Sequence, residues 1–305
     1  MANEILYAAL GDLRLPSILR AEMDLSIADR VTLWEHPALT YLGDIAGQGS
    51  DVVKRASIGL GGYDEMAAVA ENAAIVATPI TTSAVTLAIA RQAILRNASD
   101  LARLTDPRTG LINVTALAGD MVGSAAMRFT TMVALLGGGF SNVVGSTGVN
   151  MSVDDFFAAV LVLELGNIPG PYVAFLHGQQ IGDLRTSIRA ETGPLIYVPR
   201  TAELIERVGQ AAVGEFLGVD ILRVNRIPTA NAGADRAGMM FGQGAIQWAD
   251  AAVPGLGVAG MVTGGRVSVA LGYDVKTGNV EVAGSYYCGV GVYEDAAGVG
   301  MVTDS

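Results

Sequence analysis

Side chains able to act as nucleophiles, bases or soft metal ligands are few in this 305-residue chain, and they are scattered: two histidines, His36 and His177, and one cysteine, Cys288. A single cysteine can form neither an intrachain disulfide nor a cysteine-rich zinc site. The sequence holds no H-E-x-x-H, no G-x-S-x-G, no phosphate-binding P-loop and no closely spaced acid cluster beside a metal-ligand partner. Gly255, Gly257 and Gly260 spell G-x-G-x-x-G, which in dinucleotide-binding folds lets a pyrophosphate approach the backbone. Here no clear strand leads in, no helix follows, and the next acid downstream is Asp274. His177 ends an apolar run and precedes a helical pattern, so a hydrogen bond at that junction is its expected role. Asp154 and Asp155 read as first-turn helix charges rather than a catalytic pair. Cys288, between Tyr287 and Gly289, reads as a small core side chain. No catalytic, cofactor-binding or metal-binding residue is assigned on these grounds, and the chain is expected not to be an enzyme.

Composition points elsewhere. Hydrophobic residues make up 51% of the chain and charged residues only 16%, which excludes a disordered tail protein. Thirty acids against 19 bases give a net charge of −11, so a phosphate-binding basic face is not expected. A compact monomer of this mass exposes ~12,000 Å², and so few charges cover that area thinly beside the usual surface content. Lysine occurs only at Lys54 and Lys276, leaving 17 of the 19 bases as arginine. Arginine is favoured at interfaces and lysine depleted, because the planar guanidinium loses less on desolvation. Much of the surface is therefore expected to be covered by other copies of the same chain; GC-rich coding would also raise arginine. Residues 1–17 carry Glu4 and Asp12 without a basic segment, so no signal peptide is expected. The uncharged stretches 72–90 and 129–153 are broken by Pro79 and by Gly137–Gly139, so no membrane span is expected.

The elements that must position these residues follow from periodicity. Residues 1–42, with Pro16 and Pro37, lack a helical stripe and read as an extended arm. A glycine-flanked excursion follows, and alternation of Val85, Leu87 and Ile89 predicts a strand within 78–95. Residues 66–74 read as helical, and a short helix is expected near 98–107. The clearest helix is 113–136, where Met121, Ala125, Phe129, Met132, Val133 and Leu136 keep i, i+3, i+4 spacing before Gly137–Gly139 ends it. Ser152 and Asp155 form a capping box at the start of a helix. Beyond it come a strand at 171–177, helices at 178–188 and 201–210, a strand at 218–228, then strand, turn and short helix across 236–249. Strands at 267–293 fold into a hairpin about Lys276–Asn279.

Three segments in sequence order, PYVAFLHGQQIGDLRTSI (171–188), FLGVDILRVNRIPT (216–229) and DRAGMMFGQGAIQWA (235–249), resemble the major capsid proteins of tailed bacteriophages. Gly178 departs from the pattern, since many relatives have proline after the histidine. The resemblance implies the Hong Kong 97 capsid fold, an α+β architecture with an N-terminal arm (1–42), an extended β-hairpin loop (43–95), a peripheral domain (96–139 and 266–305) carrying a long spine helix (113–136), and an axial α/β domain (140–265). It also implies pentamers and hexamers that close an icosahedral shell around double-stranded DNA, without sequence-specific contacts, in virions assembled in the host cytoplasm. Portal, scaffolding and decoration proteins are implied partners; with the arm beginning near Met1, any scaffold is expected to be a separate protein. Some relatives cross-link a loop lysine to an asparagine. Lys54 lies in the loop and Asn279 in the terminal hairpin, but nothing marks a catalytic glutamate, so an ordinary inter-subunit charge contact is expected of Lys54. Two other readings compete: an encapsulin-like nanocompartment shell, which shares the fold, and an α/β enzyme with a glycine-rich loop at 255–260.

Overall fold

The computed structural model describes residues 36–45, 51–57, 83–99, 114–190, 197–199, 212–252, 261–262 and 267–304. Their strands are β1 (Leu39–Asp44), β2 (Val52–Ser57), β3 (Ser83–Ala88), β4 (Ala90–Ser99), β5 (Val143–Val144), β6 (Tyr172–Leu176), β7 (Tyr197–Pro199), β8 (Ala212–Phe216), β9 (Val219–Arg223), β10 (Thr229–Ala230), β11 (Asp235–Phe241), β12 (Ile246–Asp250), β13 (Met261–Val262), β14 (Val267–Asp274), β15 (Asn279–Val292) and β16 (Gly298–Asp304). The helices are α1 (Val114–Leu135), α2 (Val153–Leu165) and α3 (Gly178–Ala190). None is long and apolar enough to cross a membrane. The expected helices at 66–74 and 201–210 lie outside the described residues, as does most of the one near 98–107.

Eight strands form one sheet in the order β5-β16-β11-β6-β9-β8-β7, with β10 on β11. Both of its faces are covered. Neighbouring residues of β11 show this, because side chains alternate across a strand. A Cβ on Gly238 would lie 2.8 Å from Oε1 of Gln180 in α3, while the next residue, Met239, packs under Gly137. Gly137 belongs to a 3₁₀ turn, Leu136–Gly139, that continues α1. Gly137 therefore does more than help stop the helix: lacking a side chain, it lies flush on the sheet, while Gly138 and Gly139 face open space. Gly298 of β16 completes this fit, since a Cβ there would occupy the space of the Phe140 ring. The other face is held by α2, whose predicted capping box is present, with Ser152 Oγ accepting from Asp155 N and Ser152 N donating to Asp155 Oδ2.

The six-stranded sheet runs β1-β12-β15-β14-β13, with β4 also on β15. β15 is its axis. One edge pairs with β4 from Asn279 to Cys288, while the other pairs with β14 up to Tyr286 and with β12 from Cys288 onward. α1 lies against this sheet, tied to β4 by the ion pair Arg96–Asp120. Arg128 Nε adds a bond to Gln92 Oε1 at 2.8 Å. β2 and β3 form a separate two-stranded hairpin in register from Val52–Ala88 to Ser57–Ser83.

Several expectations change. Residues 246–249, expected to be helical, are strand β12; IQWAD is fully buried, and a run this short fits either state until its neighbours decide. Residues 98–99 finish strand β4 instead of opening a helix. The expected domain limits do not follow the sheets: β12, placed within 140–265, joins β1 and β15, while β16, placed within 266–305, inserts between β5 and β11. The limits drawn at 42 and 95 likewise fall inside β1 and β4, because both strands are completed by partners remote in sequence. β8, absent from the sequence reading, closes a hairpin with β9 through Leu217 and Gly218, both at positive φ.

Candidate functional site

The residues with the greatest chemical potential are kept apart. His36 is buried beside Asp220 of β9, with its Nε2 3.6 Å from Asp220 Oδ2, and its Nδ1 accepts from Ala38 N. A bond accepted at Nδ1 leaves Nε2 as the ring's donor, on the side of Asp220. His177 sits at the β6–α3 junction as expected: its Nδ1 accepts from Gln179 N at 3.4 Å and its N–H donates to Gln180 Oε1 at 3.0 Å. Burial, and then the Arg236 charge, lower its pKa from the ordinary value. Cys288 is buried in β15, where desolvation pushes its thiol up to about 12, so no thiolate forms near neutrality. Asp154 and Asp155 occupy the first turn of α2, as the charge pattern predicts.

Lys54 is exposed on β2, opposite Thr86 of β3, whereas Asn279 opens β15 opposite Ser99. Gly255, Gly257 and Gly260 lie outside the described residues. Among the described residues no group of three His, Cys, Asp or Glu could hold a metal ion. A half-open cavity of about 230 Å³ between α1 and strands β4, β14 and β15 is lined by Ile94, Met121, Val267, Ser124, Arg128 and Tyr286 among others, with no acid, histidine or cysteine.

What the molecule does present is apolar surface at regular spacing. On α2, Phe156, Ala159, Val160 and Leu163 are buried, yet Phe157, Leu161 and Leu165 remain 41%, 52% and 75% exposed. Next to them Leu217 is exposed at φ +55°, a left-handed conformation that costs a leucine about 1–2 kcal/mol. Phe216 links the two, its ring 6.3 Å from Phe157. On α1, Met127 and Leu135 are 55% and 53% exposed. Two helices with apolar residues on a second face signal burial against something else. The signal was legible in VDDFFAAVLVLEL, which has more apolar residues than one buried stripe can use, but the sequence reading did not single it out.

No protein-family model matches the chain, and no curated protein does. Solved structures do match across most of its length. The capsid of Ralstonia phage GP4 aligns with a TM-score of 0.61 at 12% identity, covering 89% of this chain and 90% of that one. The capsid of cyanophage P-SCSP1u gives 0.60 at 12% identity, covering 89% and 88%. The holo-SrpI encapsulin complex of Synechococcus elongatus PCC 7942 gives 0.55 at 13% identity, covering 89% and 86%. This chain has the Hong Kong 97-like capsid fold. The long spine helix expected of that fold is α1, and the extended loop is rooted in β2 and β3. The α+β expectation holds, with strands outnumbering helices among the described residues.

Proposed function

We propose that this chain is the major capsid protein of a tailed double-stranded DNA bacteriophage, assembling through pentamers and hexamers into an icosahedral shell around the genome. The observation that carries the reading is the capsid fold running nearly end to end in both this chain and phage capsid chains. The exposed apolar helix faces agree with it, since association at ~25 cal/mol per Å² of apolar area would cover them. Shell formation asks no chemistry of His36, His177 or Cys288, and we propose that the protein is not a catalyst. The net charge of −11 suits a wall that packaged DNA slides along without sticking. Portal, scaffolding and decoration proteins belong to the same proposal, as does the virion as final location after assembly in the host cytoplasm.

A nanocompartment shell is the second reading, favoured by the encapsulin match. Negative-stain microscopy of the purified protein, followed by analysis of particle contents, separates the two. Nuclease-protected DNA of genome length supports the phage capsid, and a co-purifying enzyme supports the compartment. A discrete small oligomer turning over a metabolite overturns both. Deleting residues 1–40, which removes His36 from Asp220, is expected to abolish closed particles while β6, β9 and β11 stay folded. Normal shells after that deletion would refute the role given to the arm.

A further inference from the structure

The two exposed helix faces match one another. Phe157, Leu161 and Leu165 stand at i, i+4 and i+8 on α2, a row about 12 Å long at 1.5 Å per residue. Exposed acids border it, Asp154 before Phe157 and Glu164 beside Leu165. Met127, Thr131 and Leu135 repeat the spacing on α1. Thr131, half-buried between them, does not present a free hydroxyl to that row, because the hydroxyl turns back to donate to Met127 O at 2.7 Å. Here the border is basic: Arg128 is exposed beside Met127, and Arg226, at the end of the β9 segment, reaches Met127 Sδ through Nη2 at 3.7 Å. One face is apolar with carboxylates at its rim, the other apolar with guanidiniums at its rim, and the two rows have equal length.

We propose that α2 of one copy docks antiparallel on α1 of the next, with Phe157, Leu161 and Leu165 laid along Leu135, Thr131 and Met127, so that Glu164, beside Leu165, faces Arg226 and Arg128 at the Met127 end. The proposal rests on the shell reading and names one of its contacts. Because two different faces meet, the contact is head-to-tail and propagates around a ring instead of closing a pair. The α2 face with Leu217 offers on the order of 400 Å², below the ~800 Å² per partner of a stable complex, so this contact forms alongside others. Carboxylate–guanidinium rims choose the partner and its direction, while the apolar rows supply the buried area.

The test uses the full chain with engineered cysteines, since native Cys288 is buried and its thiol stays protonated. Leu161→Cys and Thr131→Cys chains are co-assembled and oxidised with copper phenanthroline. Cross-linked dimers are expected from the mixture and none from either variant alone, and a chain carrying both cysteines should give a ladder of higher oligomers. Arg226→Glu is expected to cut the mixed cross-link at least fivefold, with recovery when Glu164→Arg is placed on the opposing copy. Dimers from Leu161→Cys alone, or no cross-link in the mixture, would overturn the proposal. Microscopy of unmodified protein is run in parallel. Shells without the cross-link leave the capsid reading standing and remove this contact, whereas cross-linked ladders without shells keep the contact and remove the capsid reading.

Discussion

In β11 of the eight-stranded sheet every residue but Arg236 is buried, whereas in the β2–β3 hairpin Leu87 is the only buried one among the described side chains. The sheet is clamped between α2 and α3 on one face and the 3₁₀ turn on the other. Among the described residues the hairpin has only its own ladder and a root. At that root a Cβ on Gly289 of β15 would run into the Ala88 carbonyl and one on Gly291 would lie 3.0 Å from a Leu87 methyl, and the Arg55 guanidinium stacks 5.1 Å from the Tyr293 ring. Isolated two-stranded hairpins are marginal in water. Among the described residues one region is closed by its own packing and the other leaves more of its surface open, which neighbouring copies would cover in the proposed shell.

The largest effect is expected where the clamped sheet is tightest. Gly298→Ala puts a methyl into the Phe140 ring and should destabilise the protein by about 3 kcal/mol, read as a lower urea midpoint. Preservation of the midpoint would show that the 3₁₀ turn is not a fixed lid. Gly289→Ala attacks the hairpin root instead, where backbone must shift from backbone. A loss of about 1–3 kcal/mol is expected, with faster amide exchange confined to 52–57 and 83–88 if the two regions are independent. Uniform acceleration would show them coupled. Ser152→Ala removes the N-cap of α2 and should cost about 1 kcal/mol, again on the clamped side.

The smallest effect belongs to Asp120→Asn, which cuts the exposed link between α1 and β4. The hydrogen bond from Arg96 holds the Asp120 carboxyl below its ordinary value. A lowered carboxylate contributes stability above its unfolded value and loses it as pH falls through the folded one. Any difference between wild type and Asp120→Asn should therefore be present at pH 7, shrink with salt, and be lost as pH falls through the lowered folded value of the carboxyl. A difference that persists in acid would mean the variant acts through packing.

Local signals in the chain proved readable where one element settles its own form. α1 keeps its apolar spacing over many turns, Ser152 and Asp155 satisfy each other three residues apart, and the turn at Lys276–Asn279 joins adjacent strands. Elements whose state depends on distant partners were not readable. Ile246–Asp250 becomes a strand because β1 and β15 flank it, and Gly298–Asp304 enters the eight-stranded sheet because β11 lies opposite. The helix faces that serve as the candidate site needed burial to separate Phe156 and Leu163 from Phe157 and Leu161.

From its sequence alone this protein's apolar surplus, sparse charge, scattered reactive side chains and long helix were determined, because composition and short-range spacing act within one element. Tertiary structure alone decided which strands share a sheet, which glycines admit a neighbour's ring or carbonyl, and which apolar side chains stay outside. Those outcomes depend on contacts between segments as far apart as Phe140 and Gly298, and no local pattern encodes the space between them.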